Sequence, residues 1–241
     1  MEGNVNSKNF VEKKSTTNEK PELELGRAFL HIIFNVVAFV LVVMPQVTDA
    51  DIDATLIGFG IAVPVVETFM ITGYWTSKKW APGIWYANWY EWFYKHIARW
   101  FIRPKERGKL TAMSSYLLGL VVIRLVFHAP MIEALFIMTI LSWGDPAARI
   151  GGKSIEGAYL PGRKDKKTWA GFLSFIFVAS LMVLFLDLGL VATGALTLGA
   201  STFMTQYFAV LAGGLAEAYV PWWDNFFITL ASYGTYAAIM G

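Results

Sequence analysis

Long apolar runs constrain this chain more than any other feature. Seven of them, roughly 28–44, 54–75, 110–127, 130–144, 169–187, 190–213 and 222–240, take up most of the sequence. A helix needs about 17–25 apolar residues to cross the hydrocarbon core of a bilayer, and these runs approach or reach that length. No single soluble core could hide so much apolar surface. Of the 241 residues, 56% are hydrophobic and 16% charged, against about 45–50% and 25% in soluble domains. The expected fold is all-α: a polytopic membrane helical bundle of about seven transmembrane helices. The chain has no Cys, which excludes a disulfide framework and any thiolate metal site.

The distribution of charge orients the bundle. The turnaround "PQVTDADID" (45–53) holds three Asp and no Lys or Arg, and "HAP" (128–130) and "DLG" (187–189) also lack basic residues. Nineteen of the twenty basic residues fall in the N-terminal tail, the 75–109 segment and the 145–168 segment, leaving only Arg124 inside a span. This asymmetry places the N-terminus, both long segments and the 214–221 turn in the cytoplasm. Residues 1–26, polar and charged, read as a disordered tail, and 27–241 as one membrane domain. Six of the ten Trp lie in "WTSKKWAPGIWYANWYEWFYKHIARWFIRPKERGK" (75–109), interleaved with Lys and Arg. That mixture suits a helix lying in the headgroup plane, either as an anchor or as one wall of an entrance for a lipid.

An ionisable group inside a span costs roughly 2.5–3.5 kcal/mol on insertion scales, so each needs a partner, a cavity or an interfacial position. Arg27 and His31 are one turn apart on the first span. Glu67 lies in the cytoplasmic half of the second, Asp145 ends the fourth, and Asp224 with Asn225 opens the seventh just after Glu217. All are expected near one membrane surface. Arg124 and Glu133 lie toward the other and are expected to pair with each other.

The segment "GDPAARIGGK" (144–153) follows an apolar run without a spacer and reads as a loop. Glycines let backbone N–H groups wrap an anion without obstruction by a Cβ. Asp145 is a suitable ligand for Mg²⁺, a hard cation that takes oxygen ligands and shares substrate phosphates. Arg163, Lys164, Lys166 and Lys167 could neutralise a polyphosphate, although basic residues here also fit plain cytoplasmic topology. Thr168 enters the next helix, whose N-terminus favours negative charge. Together these features describe a nucleotide-triphosphate site, without the GxxxxGK[ST] spacing of a Walker A loop.

The order "ELGRAFLHII" (24–33), "PKERGKLTAMSSYLLG" (104–119), "GDPAARIGGKSIEG" (144–157), "KKTWAG" (166–171) and "AEAYVPWWDN" (216–225) resembles the polyprenol kinase family, which contains dolichol kinase, phytol kinase and the CTP-dependent diacylglycerol kinase. The resemblance covers nearly everything after residue 22. It departs from the family at Ala170, where Glu is usual, and at Ala28, where Lys is usual. Phosphatidate cytidylyltransferases share a "KTWEG"-like segment, matched here at Lys167, Thr168, Trp169 and Gly171, but look less alike at the C-terminus.

The resemblance implies CTP-dependent phosphorylation of a lipid alcohol (an isoprenoid alcohol or diacylglycerol) at the cytoplasmic face, with Mg²⁺ as cofactor and no nucleic-acid partner. It implies metal ligation by Asp145, with Asp224 and Glu217 as candidate second acids. The nucleotide would be held by Gly144, Gly151, Gly152, Lys153, Lys166, Lys167, Thr168 and Gly171. His31, Arg27 and Glu67 would stand near the lipid hydroxyl, with Arg149 and Asn225 alongside. The identity of the base stays open, as do the lipid and the oligomeric state. A CDP-lipid-forming enzyme is the alternative. A transporter would explain the buried charges but not a glycine- and lysine-rich segment behind an acid.

Overall fold

The computed structural model describes residues 21–240 apart from 45–46, 101, 103–106, 163–166, 197–198 and 221–222. Among the described residues the chain is helical, and the one β-type pairing is an isolated bridge between Tyr159 and Thr168. The helices are α1 (Pro21–Val43), α2 (Asp49–Trp75, extended by a π-helical turn Thr76–Trp80), α3 (Trp85–His96), α4 (Ala112–Val121, extended by a π-helical turn Val122–Val126), α5 (Met131–Ser154), α6 (Trp169–Ala192), α7 (Ala200–Tyr219) and α8 (Asp224–Met240). Each helix except α3 overlaps one of the seven apolar runs. Residues 49–80, Met131–Ser154 and Trp169–Ala192 are long and apolar enough to cross a membrane, with shorter apolar stretches at His31–Val43 and Ala112–Val126.

Packing distinguishes these helices. In α5, 72% of the apolar window is buried, and Leu135, Ile137, Ile140 and Leu141 form the centre of the core beneath α1, α6, α7 and α8. In α2 only 11% is buried, and Ile57, Ile61, Val65, Val66 and Phe69 point outward. An apolar face this long is stable where lipid covers it and a liability where water does.

Four boundaries differ from expectation. Helix α7 starts at Ala200 rather than 190 and continues to Tyr219, so most of the expected 214–221 turn, Glu217 included, is helix. Helix α1 begins at Pro21, so the end of the expected tail is helical, while residues 1–20 lie outside the described residues. Helix α6 continues to Ala192, which moves Asp187 from an expected turn into a fully buried position, where Gln206 of α7 donates to its Oδ1 at 3.0 Å. Helix α5 continues to Ser154, so "GDPAARIGGK" is helix rather than loop.

The expected Arg124–Glu133 pair does not form. Arg124, on the π-helical turn that ends α4, faces the first turns of α2. It contacts Asp53 at 2.6 Å and Asp49 at 3.2 Å, and donates to the Ala129 carbonyl at 2.6 Å. Glu133 begins α5 and turns toward α8, near enough to Tyr233 and Tyr236 to act on both electrostatically. Sequence proximity across the 128–130 turn was misleading because the two side chains leave their helices toward different neighbours.

Helix α3 docks on the end of α2. Tyr90, 1% exposed, lies against Gly73, where an added Cβ would meet the ring at 2.8 Å. Arg107 donates to Tyr90 Oη at 3.2 Å and to Glu91 at 2.9 Å, and stacks 3.9 Å from the Tyr94 ring centroid. Trp80, Trp85 and Trp92 remain exposed.

Candidate functional site

The ends of α5, α7 and the beginnings of α6 and α8 meet at one pole of the bundle. Asp145 is 2% exposed, and its Oδ2 contacts Arg149 one turn later at 2.8 Å. Pro146 follows within the helix; lacking an N–H, it leaves the Ser142 carbonyl without its usual helical donor. Ser142 is fully buried, with its hydroxyl 3.5 Å from that of Tyr116. Tyr116 stacks on buried His31, with ring centroids 5.3 Å apart and planes at 15°. His31 thus reaches the Asp145 turn through Tyr116 and Ser142.

Beyond α5 the chain folds into a short hairpin. Leu160 N–H donates to the Lys167 carbonyl at 2.8 Å and Trp169 N–H to the Ala158 carbonyl at 3.0 Å. The hairpin delivers Thr168 as the cap of α6, its hydroxyl accepting from Gly171 N–H at 3.1 Å. Lys167 extends to α7, where its ammonium contacts the Glu217 carboxylate at 2.6 Å and also donates to the Glu217 carbonyl. Asp145 and Asp224 are close enough to act electrostatically on Glu217. The three expected metal-site acids therefore share one neighbourhood, faced by Arg149 and Lys167. Lys166, with Arg163 and Lys164, and the side chain of Arg27 lie outside the described residues.

The glycines have a different task from the one expected. Gly144, Gly151 and Gly152 lie inside α5 and Gly171 in the first turn of α6, so backbone hydrogen bonds and the Thr168 cap occupy N–H groups that a phosphate would need. What these positions provide is close approach. A Cβ at Gly144 would meet the Phe175 ring at 2.6 Å, one at Gly151 the Ser174 hydroxyl at 1.9 Å, and one at Gly171 the Ala148 carbonyl at 2.8 Å. Gly152 faces Thr168 and Gly171 across the same seam. Small residues drive such backbone-to-backbone packing in lipid, where no hydrophobic force joins two apolar helices. Lys153 is exposed at the end of α5. This pole offers a phosphate the charge of Lys167 more than a cradle of backbone N–H groups.

Glu67 and Asn225 fix the start of α4. Glu67, 7% exposed, receives on Oε1 the Thr111 hydroxyl at 2.6 Å, the Thr111 N–H at 3.2 Å and the Ser114 hydroxyl. A carboxylate suits a helix N-terminus, whose orphan N–H groups carry partial positive charge. Its other oxygen, Oε2, is buried without a hydrogen-bond partner. Asn225, fully buried, donates to the Ala112 carbonyl at 2.9 Å and so connects α4 to the residue beside Asp224.

Among the described residues, no three Asp, Glu or His side chains gather closely enough to form a metal cage by themselves. Mg²⁺ needs only one or two carboxylates, with waters and substrate phosphates completing its shell. Asp145 and Asp224 are the candidates for that role, with Asp145 already giving Oδ2 to Arg149 at 2.8 Å, and Glu217 gives its carboxylate to Lys167 at 2.6 Å. Tyr116, Ser142, Thr111 and Ser114 were not singled out in the sequence. Their hydroxyls sit in apolar helices at ordinary spacings, and only the fold shows what they reach. No protein-family model, curated protein or solved structure matches the chain.

Proposed function

We propose that the chain is a CTP-dependent lipid-alcohol kinase that crosses the membrane seven times, with its N-terminus and its site at the cytoplasmic surface and α3 lying in the headgroup plane. The observation that carries this reading is the convergence of Asp145, Glu217 and Asp224 with Lys167 and Arg149 at the pole bearing the two long basic segments. A lipid hydroxyl rises no further than the interface, so a nucleotide must meet it at that depth.

In this reading the hydroxyl oxygen attacks the γ-phosphorus of CTP. The bond from that phosphorus to the β–γ bridging oxygen breaks, releasing CDP and leaving a lipid monophosphate. Mg²⁺, when bound, supplies charge neutralisation at the phosphates, and Asp145 with Asp224 would hold it. Two of the three ammonium hydrogens of Lys167 are committed to Glu217, which aims the remaining one and fixes the charge. Such pre-positioned charge is the principal means of catalysis in phosphoryl transfer. In this reading His31 or Glu67 would accept the hydroxyl proton.

The test is product identification in nanodiscs with Mg²⁺ and a panel of isoprenoid alcohols and diacylglycerol. Transfer of γ-³²P from CTP to lipid supports the kinase. Cytidine-labelled lipid with release of pyrophosphate would instead establish the cytidylyltransferase alternative.

A further inference from the structure

Helices α2 and α4 run antiparallel. Asp53 meets Arg124 at one end, Gly60 faces Val121 in the middle, and Glu67 meets Thr111 and Ser114 at the other. Between Gly60 and Glu67 they part, leaving a cavity of about 230 Å³ lined by Phe59, Gly60, Val63, Leu117, Leu118 and Val121, with Ser114 and Trp223 toward the polar end. Seven residues along each helix make this roughly 10 Å of groove at 1.5 Å per residue. Its lining residues Phe59 and Leu118 are exposed on the apolar outer surface of the two helices, a surface that in a bilayer would meet lipid.

The end of the groove is chemically distinct. Ser114 lines it and donates to Glu67, whose second oxygen is buried and has no donor. An unpaired buried carboxylate oxygen is costly unless a donor completes it. Trp223 closes the same end and precedes Asp224 of the acid cluster. It holds a left-handed backbone (φ 53°), a conformation a bulky residue rarely adopts. An apolar slot with the Ser114 hydroxyl at its end, and the buried Glu67 carboxylate behind that hydroxyl one turn beyond Val63, matches a molecule with a hydrocarbon chain and a terminal hydrogen-bond donor.

We propose that the α2–α4 groove seats the hydrocarbon chain of a long-chain alcohol, with its hydroxyl donating a hydrogen bond to Glu67 Oε2. The choice of an alcohol rests on the kinase reading; the slot and the orphan acceptor do not. Glu67 then has two tasks, one oxygen capping α4 and the other binding substrate.

The probe is a diazirine-bearing long-chain primary alcohol, photolysed with the full-length protein in nanodiscs. Labelling is expected on α2 and α4 around Gly60 and Val121, competed by the unlabelled alcohol and not by its methyl ether, which has no donor. Glu67→Gln keeps an oxygen for the α4 cap and is expected to weaken that competition about tenfold or more, as for a lost charge-assisted hydrogen bond. Gly60→Phe fills the slot, since an added Cβ there meets only Val121, at 3.4 Å. It is expected to raise KM for a long-chain alcohol about tenfold while leaving KM for CTP unchanged. Equal competition by alcohol and ether, or competed labelling confined to other helices, overturns the proposal. Phosphate transfer by the wild type without competed labelling of the groove removes the groove and leaves the kinase. Competed labelling without any phosphate transfer keeps the groove and removes the kinase.

Discussion

At the scale of single residues, Lys167 carries two relationships that substitutions can separate. Its charge would meet phosphate, and its double contact with Glu217 joins α6 to α7. Lys167→Met removes both and is expected to lower kcat about 100-fold or more, the usual size for a lost pre-positioned electrostatic donor. Glu217→Gln keeps a carbonyl for the ammonium and is expected to lower kcat less. Steady-state γ-phosphate transfer measures both, and equal activity of Lys167→Met and wild type would remove Lys167 from the site.

Glu91 provides a pH prediction at the same scale. Burial pushes its carboxyl up, but hydrogen bonds from Ser77 and Arg107, with the charges of Arg107 and Lys78, outweigh that and hold it below its ordinary value of 4.5. Because the folded value is the lower one, the contribution of Glu91 to docking α3 is complete above pH 4.5 and is lost as the pH falls through the folded value. Trp fluorescence of α3 is expected to stay flat from pH 8 to about 5 and to change only below. Glu91→Gln is expected to remove that acid transition, and an unchanged transition in the variant would assign it to another group.

At the scale of elements, the α5–α6 seam decides whether the site forms at all. Gly151→Leu would place a side chain where even a Cβ meets Ser174 at 1.9 Å. Overpacking of this kind costs about 1–3 kcal/mol or more. The expected result is a lower thermal midpoint, with loss of activity following loss of fold, whereas Gly157→Ala at an open position is expected to be neutral. The apolar runs were legible because length and hydropathy alone define a helix in lipid. The nature of residues 144–153 was not. Gly and Pro are the strongest local breakers in a sequence reading, and only the facing surface of α6 explains why glycines are retained inside α5. The convergence of Asp145, Glu217 and Asp224 was legible because all three lie at run ends on the side of the basic segments. The partners of Arg124, Asp187 and His31 were not, because each depends on which helices become neighbours.

At the scale of the whole molecule, the arrangement of charge predicts topology. Arg124, the basic residue that breaks the pattern, is neutralised by Asp53 and Asp49 at the pole opposite the acids of the site. The absence of native Cys makes this testable without background. Single substitutions Val47→Cys and Glu156→Cys are expected to react with a membrane-impermeant maleimide from opposite faces of sealed vesicles, Glu156→Cys from the cytoplasmic one. Labelling of both from one face would contradict the seven-span account.

In the kinase reading, transfer of the CTP γ-phosphate to a lipid hydroxyl takes place at the pole built around Asp145. It is tested most directly by the initial rate of γ-³²P transfer to an isoprenoid alcohol in nanodiscs, wild type against Asp145→Asn, with thermal unfolding showing that both are folded. Transfer by the wild type and a fall of about 100-fold or more in the variant is the predicted result. Equal rates in the two proteins, or no lipid-bound phosphate from a folded wild type across the whole panel of alcohols, would contradict it.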